Sequence, residues 1–460
     1  MSATSPTIII ETLKNRRQKL AQLISFPAIF WSGKPLPRNF PSNTFPFRPS
    51  SHFLYFAGLP VEDAAIRLEA GKLELFMDDP NPESTLWHGQ TPTRNQIAEA
   101  IGADAAFPKQ ELALHALDRC ATIPVQDSAT RAEQYMLRNA SPGSEAEVKE
   151  IDLQLAQAIA QVRLTHDRVA LNQLMSAAAC TIQAHLAGMM ATPKAKTEAM
   201  VRAAMEGVLI GNHMQPAYNS IVTVHGEVLH NQVYHHPIAP GDLLLADLGA
   251  ETASGWAADV TRTWPVSGKF SPTQRDIYDV VLAAHDACIA YARSGMEYVD
   301  IHLLACRVIA EGLANLGILR GQPDDLVEMD AHALFFPHGV GHLLGLDVHD
   351  MEDLGDIAGY EPGRTRSDRF GLCFLRLNRP LRSGMLVTIE PGFYQVPGIL
   401  NNPENRRKYN DVVNWDLLTK FTDVRGIRIE DDVLITDGRA EVLTAELPTL
   451  PDAIEQLIQG

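Results

Sequence analysis

Leu243-Leu244-Leu245-Ala246-Asp247-Leu248-Gly249 and, after the turn residues Ala253-Ser254-Gly255, Asp259-Val260-Thr261-Arg262-Thr263 place one aspartate at the end of an apolar run and another at the head of the next. Both runs are strand-like and bounded by turn formers, so a hairpin is expected. A hairpin sets Asp247 and Asp259 near each other although twelve positions separate them (259 minus 247). Either aspartate alone reads as an ordinary turn or strand-end residue, a common place for Asp. The pair gains weight only if further ligands join it.

Candidates follow downstream. Phe336-Pro337-His338-Gly339-Val340-Gly341-His342 and Leu346-Asp347-Val348-His349-Asp350 bring His338, His342 and His349 within a short span. The two glycines between His338 and His342 argue against a helical metal motif. A single histidine is more often a satisfied core residue, whereas a cluster beside glycine-rich backbone points to chemistry. Glu390 ends the apolar run Leu386-Val387-Thr388-Ile389, and Pro391-Gly392 stops the strand there. In Gly426-Ile427-Arg428-Ile429-Glu430-Asp431 the two-residue period sends Ile427 and Ile429 to one face, Arg428 and Glu430 to the other. A structural ion pair is the plain reading of Arg428 with Glu430. Taken together, four carboxylates and an imidazole on strand ends suit a divalent first-row ion such as manganese, with cobalt or zinc as alternatives. Metal-assisted hydrolysis is the reaction class that such a set implies.

Composition bounds this reading. The 460 residues exceed what one core usually organises. Hydrophobic residues at 45% and charged residues at 21% are ordinary for a globular chain. Lys and Arg total 39 against 56 for Asp and Glu, and the formal charge of −17 argues against nucleic acid and anionic membrane surfaces as partners. Neither a signal-peptide pattern after Met1 nor an uninterrupted membrane-length apolar run is found, so a cytoplasmic location is expected. Cys120, Cys180, Cys288, Cys306 and Cys373 are scattered and odd in number, and read as reduced thiols.

Breaks such as Phe45-Pro46-Phe47-Arg48-Pro49 suggest a modest α/β domain over residues 1–140. Ser141-Pro142-Gly143, followed by Ser144 and Glu147 at capping-box spacing, opens a helix with Val148, Ile151, Leu155, Ile159 and Val162 on one face. A domain boundary is placed at 138–146, with residues 141–460 as the second domain. Ser271-Pro272-Thr273-Gln274 caps a further helix with Ile277, Val281, Ala284 and Cys288 inward. Strand-like runs at Leu243–Ala246, Val260–Trp264, Leu386–Ile389 and Ile427–Ile435 make this part α+β.

Asp247-Leu248-Gly249, Asp259-Val260-Thr261-Arg262-Thr263, His338-Gly339-Val340-Gly341-His342, Thr388-Ile389-Glu390-Pro391-Gly392 and Gly426–Asp431 resemble the successive signatures of the pita-bread metallopeptidases, most closely the aminopeptidase P and prolidase branch. Phe47–Tyr55 resembles the N-terminal domain of the same branch more weakly. The resemblance implies an α+β fold: a curved, mostly antiparallel sheet covered by helices, with a smaller α/β N-terminal domain. It implies two divalent ions per chain, most simply Mn2+, with Asp247 on one, Asp259 and Glu430 bridging, and His342 with Glu390 on the other. It also implies proline-containing peptides as substrates and a homo-oligomer, dimer or tetramer.

Further roles carry over by position. Leu229-His230 matches the segment whose histidine steadies the tetrahedral intermediate, and His338 and His349 match histidines that contact substrate or shuttle protons. Glu390 would carry a proton and Arg428 joins the catalytic group. The family usually has one residue fewer between the two aspartates, an extra turn residue near Ala253 that a loop absorbs cheaply. Arg376 resembles the prolidase arginine that pairs with a dipeptide carboxylate, with an ion pair to a nearby acid as its alternative. Met351–Asp356 and Phe45–Tyr55 look more like aminopeptidase P. The balance favours an Xaa-Pro aminopeptidase, with a prolidase as the alternative. A metal-free peptide-binding module and a metal-free hydrolase of creatine-like substrates are disfavoured by the intact ligand set.

Overall fold

The computed structural model describes residues 6–116, 119–139 and 145–459. Two compact units divide between Val169 and Ala170.

In the first unit five strands, β1 (Ala28–Trp31), β2 (Ala65–Glu69), β3 (Lys72–Phe76), β4 (Ala105–Phe107) and β5 (Ala121–Thr122), form one mixed sheet in the order β4-β3-β2-β1-β5. Its inner strand β1 is buried along its whole length, as expected for Ala-Ile-Phe-Trp between two neighbours. The helix Glu145–Arg163 belongs to this unit, so the compact division falls later than 138–146. Ile151, Leu155, Ile159 and Val162 are buried, and the helix packs on β5 and on the helix Pro6–Ala21. The apolar stripe read from the sequence thus serves the first core. The Ser141–Gly143 break and the Ser144 cap lie outside the described residues.

The second unit is built from short antiparallel pairings under helices. Strands β6 (Gln215–Pro216), β7 (Ile221–Thr223), β8 (Leu243–Asp247), β9 (Ala250–Glu251) and β10 (Thr261–Pro265) precede a helical layer; β11 (Leu386–Ile389), β12 (Gly392–Tyr394), β13 (Gly426–Arg428), β14 (Asp431–Leu434) and β15 (Glu441–Val442) follow it. β8 lies between β7 and β10, pairing antiparallel with each, and β14 lies between β11 and β15. The helix Pro272–Tyr291 begins with the expected reciprocal cap between Ser271 and Gln274, and buries Ile277, Val281, Ala284 and Cys288. The helix Arg168–Lys194 is long and apolar enough by composition to cross a membrane. Here it is a core helix: Thr181 Oγ1 accepts from the Ala250 amide at 2.9 Å, and buried His185 contacts the Leu248 carbonyl at 3.2 Å.

One expected strand is divided. Ile427–Ile435 is two strands, with Ile429 and Glu430 between them; β13 pairs with β12 and β14 with β11. The Glu430 amide leaves that ladder to donate to the Thr261 carbonyl at 3.0 Å. This switch ties β10 to the C-terminal strands and turns the Glu430 side chain toward the end of β8.

Candidate metal centre and cavity

Asp247 ends β8 and sits directly opposite Thr261, the first residue of β10. The expected hairpin therefore forms, with Asp259 two positions before that strand. The Leu248 amide donates to Val260 at 3.0 Å and the Ala258 amide to Ala250 at 2.9 Å. Gly249 is required by closeness: a Cβ there would stand 1.7 Å from the Ala258 carbonyl oxygen. Between the two aspartates the chain turns where the Gly255 amide donates to the Thr252 carbonyl at 2.8 Å.

His342 lies in irregular chain, as the flanking glycines suggested. Its amide donates to Thr388 Oγ1 at 3.1 Å and the Thr388 amide donates to its carbonyl at 3.0 Å, which fixes the histidine against β11. Gly341, at φ +154, permits this approach, since a Cβ would be 2.2 Å from the Thr388 carbonyl. The ring's Nδ1 faces the Leu343 carbonyl at 3.0 Å, leaving Nε2 3.3 Å from Asp259 Oδ2 and 3.6 Å from Glu390 Oε1. Glu390 is held at the strand lip by its backbone amide, which donates to the Val340 carbonyl at 2.8 Å. Glu430 accepts from the Thr261 hydroxyl at 2.7 Å. Asp247, Asp259 and Glu430 form one compact donor group; His342, Glu390 and Glu430 form a second; Asp259 and His342 also group with His349.

Four carboxylates this close are held against repulsion by one buried guanidinium. Arg428 donates through Nη2 to Asp247 Oδ2, through Nε to Thr261 Oγ1 at 2.9 Å and through Nη1 to the Tyr394 hydroxyl at 2.9 Å. Its nearest approach to Glu430 is 4.0 Å, so its closer acidic partner is Asp247. Burial pushes Glu390 up to about 7 and Asp247 up to about 6, with His342 and Arg428 opposing, and it drives Glu430 well above the ordinary range. Carboxylates that are costly to ionise yet share hydrogen-bonded positions fit divalent cations, which would replace the protons. The mixed oxygen and imidazole set is of the right chemistry for such ions.

The donor groups open into a cavity of about 960 Å³. His230, His338, His349 and Arg376 all line it. His338 is held between the Gly339 carbonyl at 2.8 Å and the Tyr394 hydroxyl at 2.9 Å, and burial lowers it to about 3, so it is neutral. His349 packs its ring 4.2 Å from that of His342 and reaches Glu352 at 3.3 Å. Arg376 is engaged by both oxygens of Glu352, at 2.9 and 2.7 Å, the alternative that the sequence left open.

Several residues here escaped the sequence reading. Tyr218 stands with its hydroxyl 2.5 Å from Asp247 Oδ1 and against Asp259 Oδ1, and Tyr394 joins His338 to Arg428. Behind the site Asp431 accepts from Arg262 at 2.8 Å and faces His285 at 2.9 Å, while Arg262 also holds the Glu430 carbonyl at 2.7 Å. Arg262 and Asp431 lie inside the quoted motifs, but their mutual pairing has no local signal. Tyr218 stands in the chain just ahead of β7 and is likewise recognisable only in space.

The model of metallopeptidase family M24 matches residues 172–437, and that of the aminopeptidase P N-terminal domain matches residues 13–121. The probable Xaa-Pro aminopeptidase PEPP of Paracoccidioides brasiliensis (strain Pb03) is 32% identical over 425 residues, covering 90% of this chain and 88% of its own. The probable Xaa-Pro aminopeptidase pepP of Penicillium rubens is 33% identical over 427 residues, with the same coverage. Among solved structures, E. coli aminopeptidase P with the inhibitor Pro-Leu superposes with a TM-score of 0.80 at 26% identity, covering 100% of this chain and 99% of its own. Pseudomonas aeruginosa aminopeptidase PepP gives 0.79 at 27%, with the same coverage.

Proposed function

The chain belongs to metallopeptidase family M24, and from that premise we propose that it is an Xaa-Pro aminopeptidase: it removes the first residue of peptides whose second residue is proline, using two divalent metal ions, manganese foremost. The observation that carries this reading is the convergence of Asp247, Asp259, His342, Glu390 and Glu430 at one end of a cavity of peptide dimensions. The names of the relatives supply the bond specificity. Asp247, Asp259 and Glu430 would hold one ion, and His342, Glu390 and Glu430 the other, with Asp259 and Glu430 between them. Ions bound there supply a Lewis acid and lower the pKa of water toward neutrality.

The protein's own groups supply the rest. Glu390, which lines the cavity beside the donor groups, is placed to take up and pass on a proton. His230 and His349, both at the cavity wall, are placed to donate hydrogen bonds to the carbonyl oxygen as it gains charge. Neutral His338, fixed through Tyr394, offers a wall contact for substrate. Arg428 opposes the burial that raises Asp247 and orients its carboxylate. A homo-oligomer of two or four copies and a cytoplasmic location belong to the same proposal.

The test is hydrolysis of a panel of Xaa-Pro-Xaa peptides by purified protein, with and without chelator, beside peptides lacking proline at the second position. Cleavage of the proline peptides alone, lost in chelator and restored by Mn2+, supports the reading. Full activity after complete metal removal, or no preference for proline, sinks it.

A further inference from the structure

His230 stands on the 224–242 connection between β7 and β8, which has no helix or strand of its own. Backbone ladders therefore do not decide where this histidine lies. Glu198, at the first position of the helix Glu198–Gly211, is fully buried, and the donors to its two oxygens come from β7 and that connection. Oε1 accepts from Thr223 Oγ1 at 2.9 Å and from the Val224 amide at 2.9 Å. Oε2 faces His236 Nδ1 at 2.8 Å and the His236 amide at 3.3 Å. One carboxylate thus pins both ends of a compact loop, with His230 midway along it.

A second link reaches the histidine's neighbour. The Thr223 hydroxyl donates its only hydrogen to Glu198, so its lone pairs are left to accept, and they take the His225 amide at 2.9 Å and Asn231 Nδ2 at 2.8 Å. Asn231 is buried and adjoins His230, and its Oδ1 accepts from the Val233 amide at 3.0 Å. The helix adds a clasp at the far end, where the Glu198 and Ala199 amides donate to the His236 and Tyr234 carbonyls at 3.2 and 3.0 Å.

We propose that Glu198 is a positioning residue that, through Thr223 and Asn231, sets where His230 stands over the cavity. The proposal rests on the hydrolytic role given to His230 above. A carboxylate rather than a neutral amide is suited to the place because the Thr223 hydroxyl and the Val224 and His236 amides all donate to it, on both oxygens. Displacing a hydrogen-bonding group by an ångström at a reaction centre costs about 10²-fold in rate. A residue that merely stabilised the fold would lower melting temperature without acting through His230.

The experiment is a double-mutant cycle on Xaa-Pro-Xaa peptides with Glu198→Ala, Thr223→Val and His230→Ala, which separates coupled from independent effects. Glu198→Ala and Thr223→Val should each lower kcat about tenfold or more with KM changed little, by misplacing His230. Added to His230→Ala, either should cause less than about a further twofold loss, as expected of sites acting through one group. Glu198→Gln, which keeps Oε1 as an acceptor, should recover part of the rate. Should Glu198→Ala not fold, Thr223→Val carries the same cycle with nearly unchanged volume. Independently of turnover, the NMR titration of the His230 ring reads its surroundings. Burial, then Arg428 and Arg376, lower it in the wild type, and in Thr223→Val it should move back toward the ordinary histidine value. Losses that multiply in the cycle, or an unmoved His230 titration in Thr223→Val, overturn the proposal. Absence of any peptide cleavage would overturn the hydrolytic reading instead, and the titration still decides the placement of His230.

Discussion

Nε2 of His342 stands 3.3 Å from Oδ2 of Asp259, with Oε1 of Glu390 at 3.6 Å from the same nitrogen. These atoms come from three separate segments, and each is oriented by its own backbone tie: the Leu343 carbonyl behind the imidazole, the Val340 carbonyl behind Glu390, and Asp432 accepting from the Asp259 amide at 3.1 Å. The result is a preformed donor set whose buried carboxylates are costly to ionise without a cation beside them.

Metal dependence should therefore grow with pH. Burial raises the folded-state values of Asp247 and Glu390 to about 6 and about 7, above their ordinary values of 3.8 and 4.5. In the metal-free protein the folded state then holds more protons than the unfolded one across this window, so these groups' contribution to stability is lost as pH rises from about 4 to about 7. Cations replace those protons, so the rise in melting temperature on adding Mn2+ is expected to be small at pH 5 and large at pH 8. A melting series with and without metal checks this; an increment that shrinks with pH contradicts it.

Asp259→Asn and Glu430→Gln should bring peptide turnover to background and reduce bound metal below two ions per chain. Each removes a shared charge while changing little volume, so circular dichroism should remain that of the wild type. Elemental analysis beside the kinetics separates this outcome from unfolding. Near wild-type rates in either variant would refute the ligand assignment.

Substrate length should depend on the pairing of Arg376 with Glu352. Because both oxygens of Glu352 accept from Arg376 Nη1, the arginine's charge is already paired with a neighbouring acid, and Xaa-Pro-Xaa peptides are expected to be cut more efficiently than Xaa-Pro dipeptides. Releasing Arg376 by Glu352→Gln should raise kcat/KM on dipeptides about tenfold, the scale of one charge-assisted contact. Arg376→Ala should leave tripeptide cleavage within about threefold, a small effect for a group at the cavity wall. If the wild type prefers dipeptides and Arg376→Ala abolishes that preference, the enzyme is a prolidase.

Gly249→Ala should destabilise the protein by about 3 kcal/mol, the upper range for forcing volume into packed structure. The 1.7 Å gap to the Ala258 carbonyl admits no Cβ without parting the turn beyond Asp247. Chemical denaturation measures the loss, and a variant as stable as the wild type would show that the hairpin relaxes.

The candidate donors were legible because their chemistry is local: an aspartate at each side of a turn and a glutamate before Pro-Gly announce strand ends, and a histidine among glycines announces irregular chain. The hairpin of Asp247 and Asp259 and the cap at Ser271 follow from the same near-neighbour rules. The division of Ile427–Ile435 was not legible, since apolar alternation continues through Ile429 and nothing local marks the amide of Glu430 as bonded to Thr261. Helix Glu145–Arg163 shows the same limit: its periodicity fixes an apolar face, but the core that receives the face belongs to whichever unit lies opposite.

By itself the sequence determined the hairpin that carries Asp247 and Asp259, the strand that ends before Glu390 and the cap at Ser271, because residue type and short-range backbone preference act within a few positions. Only the tertiary structure decided that Arg428 serves Asp247 more closely than Glu430, that Arg376 is held by Glu352, that Tyr218 stands between the two aspartates, and that Glu198 gathers the His230 loop. Those contacts join segments distant in the chain, and their geometry depends on how the whole unit packs.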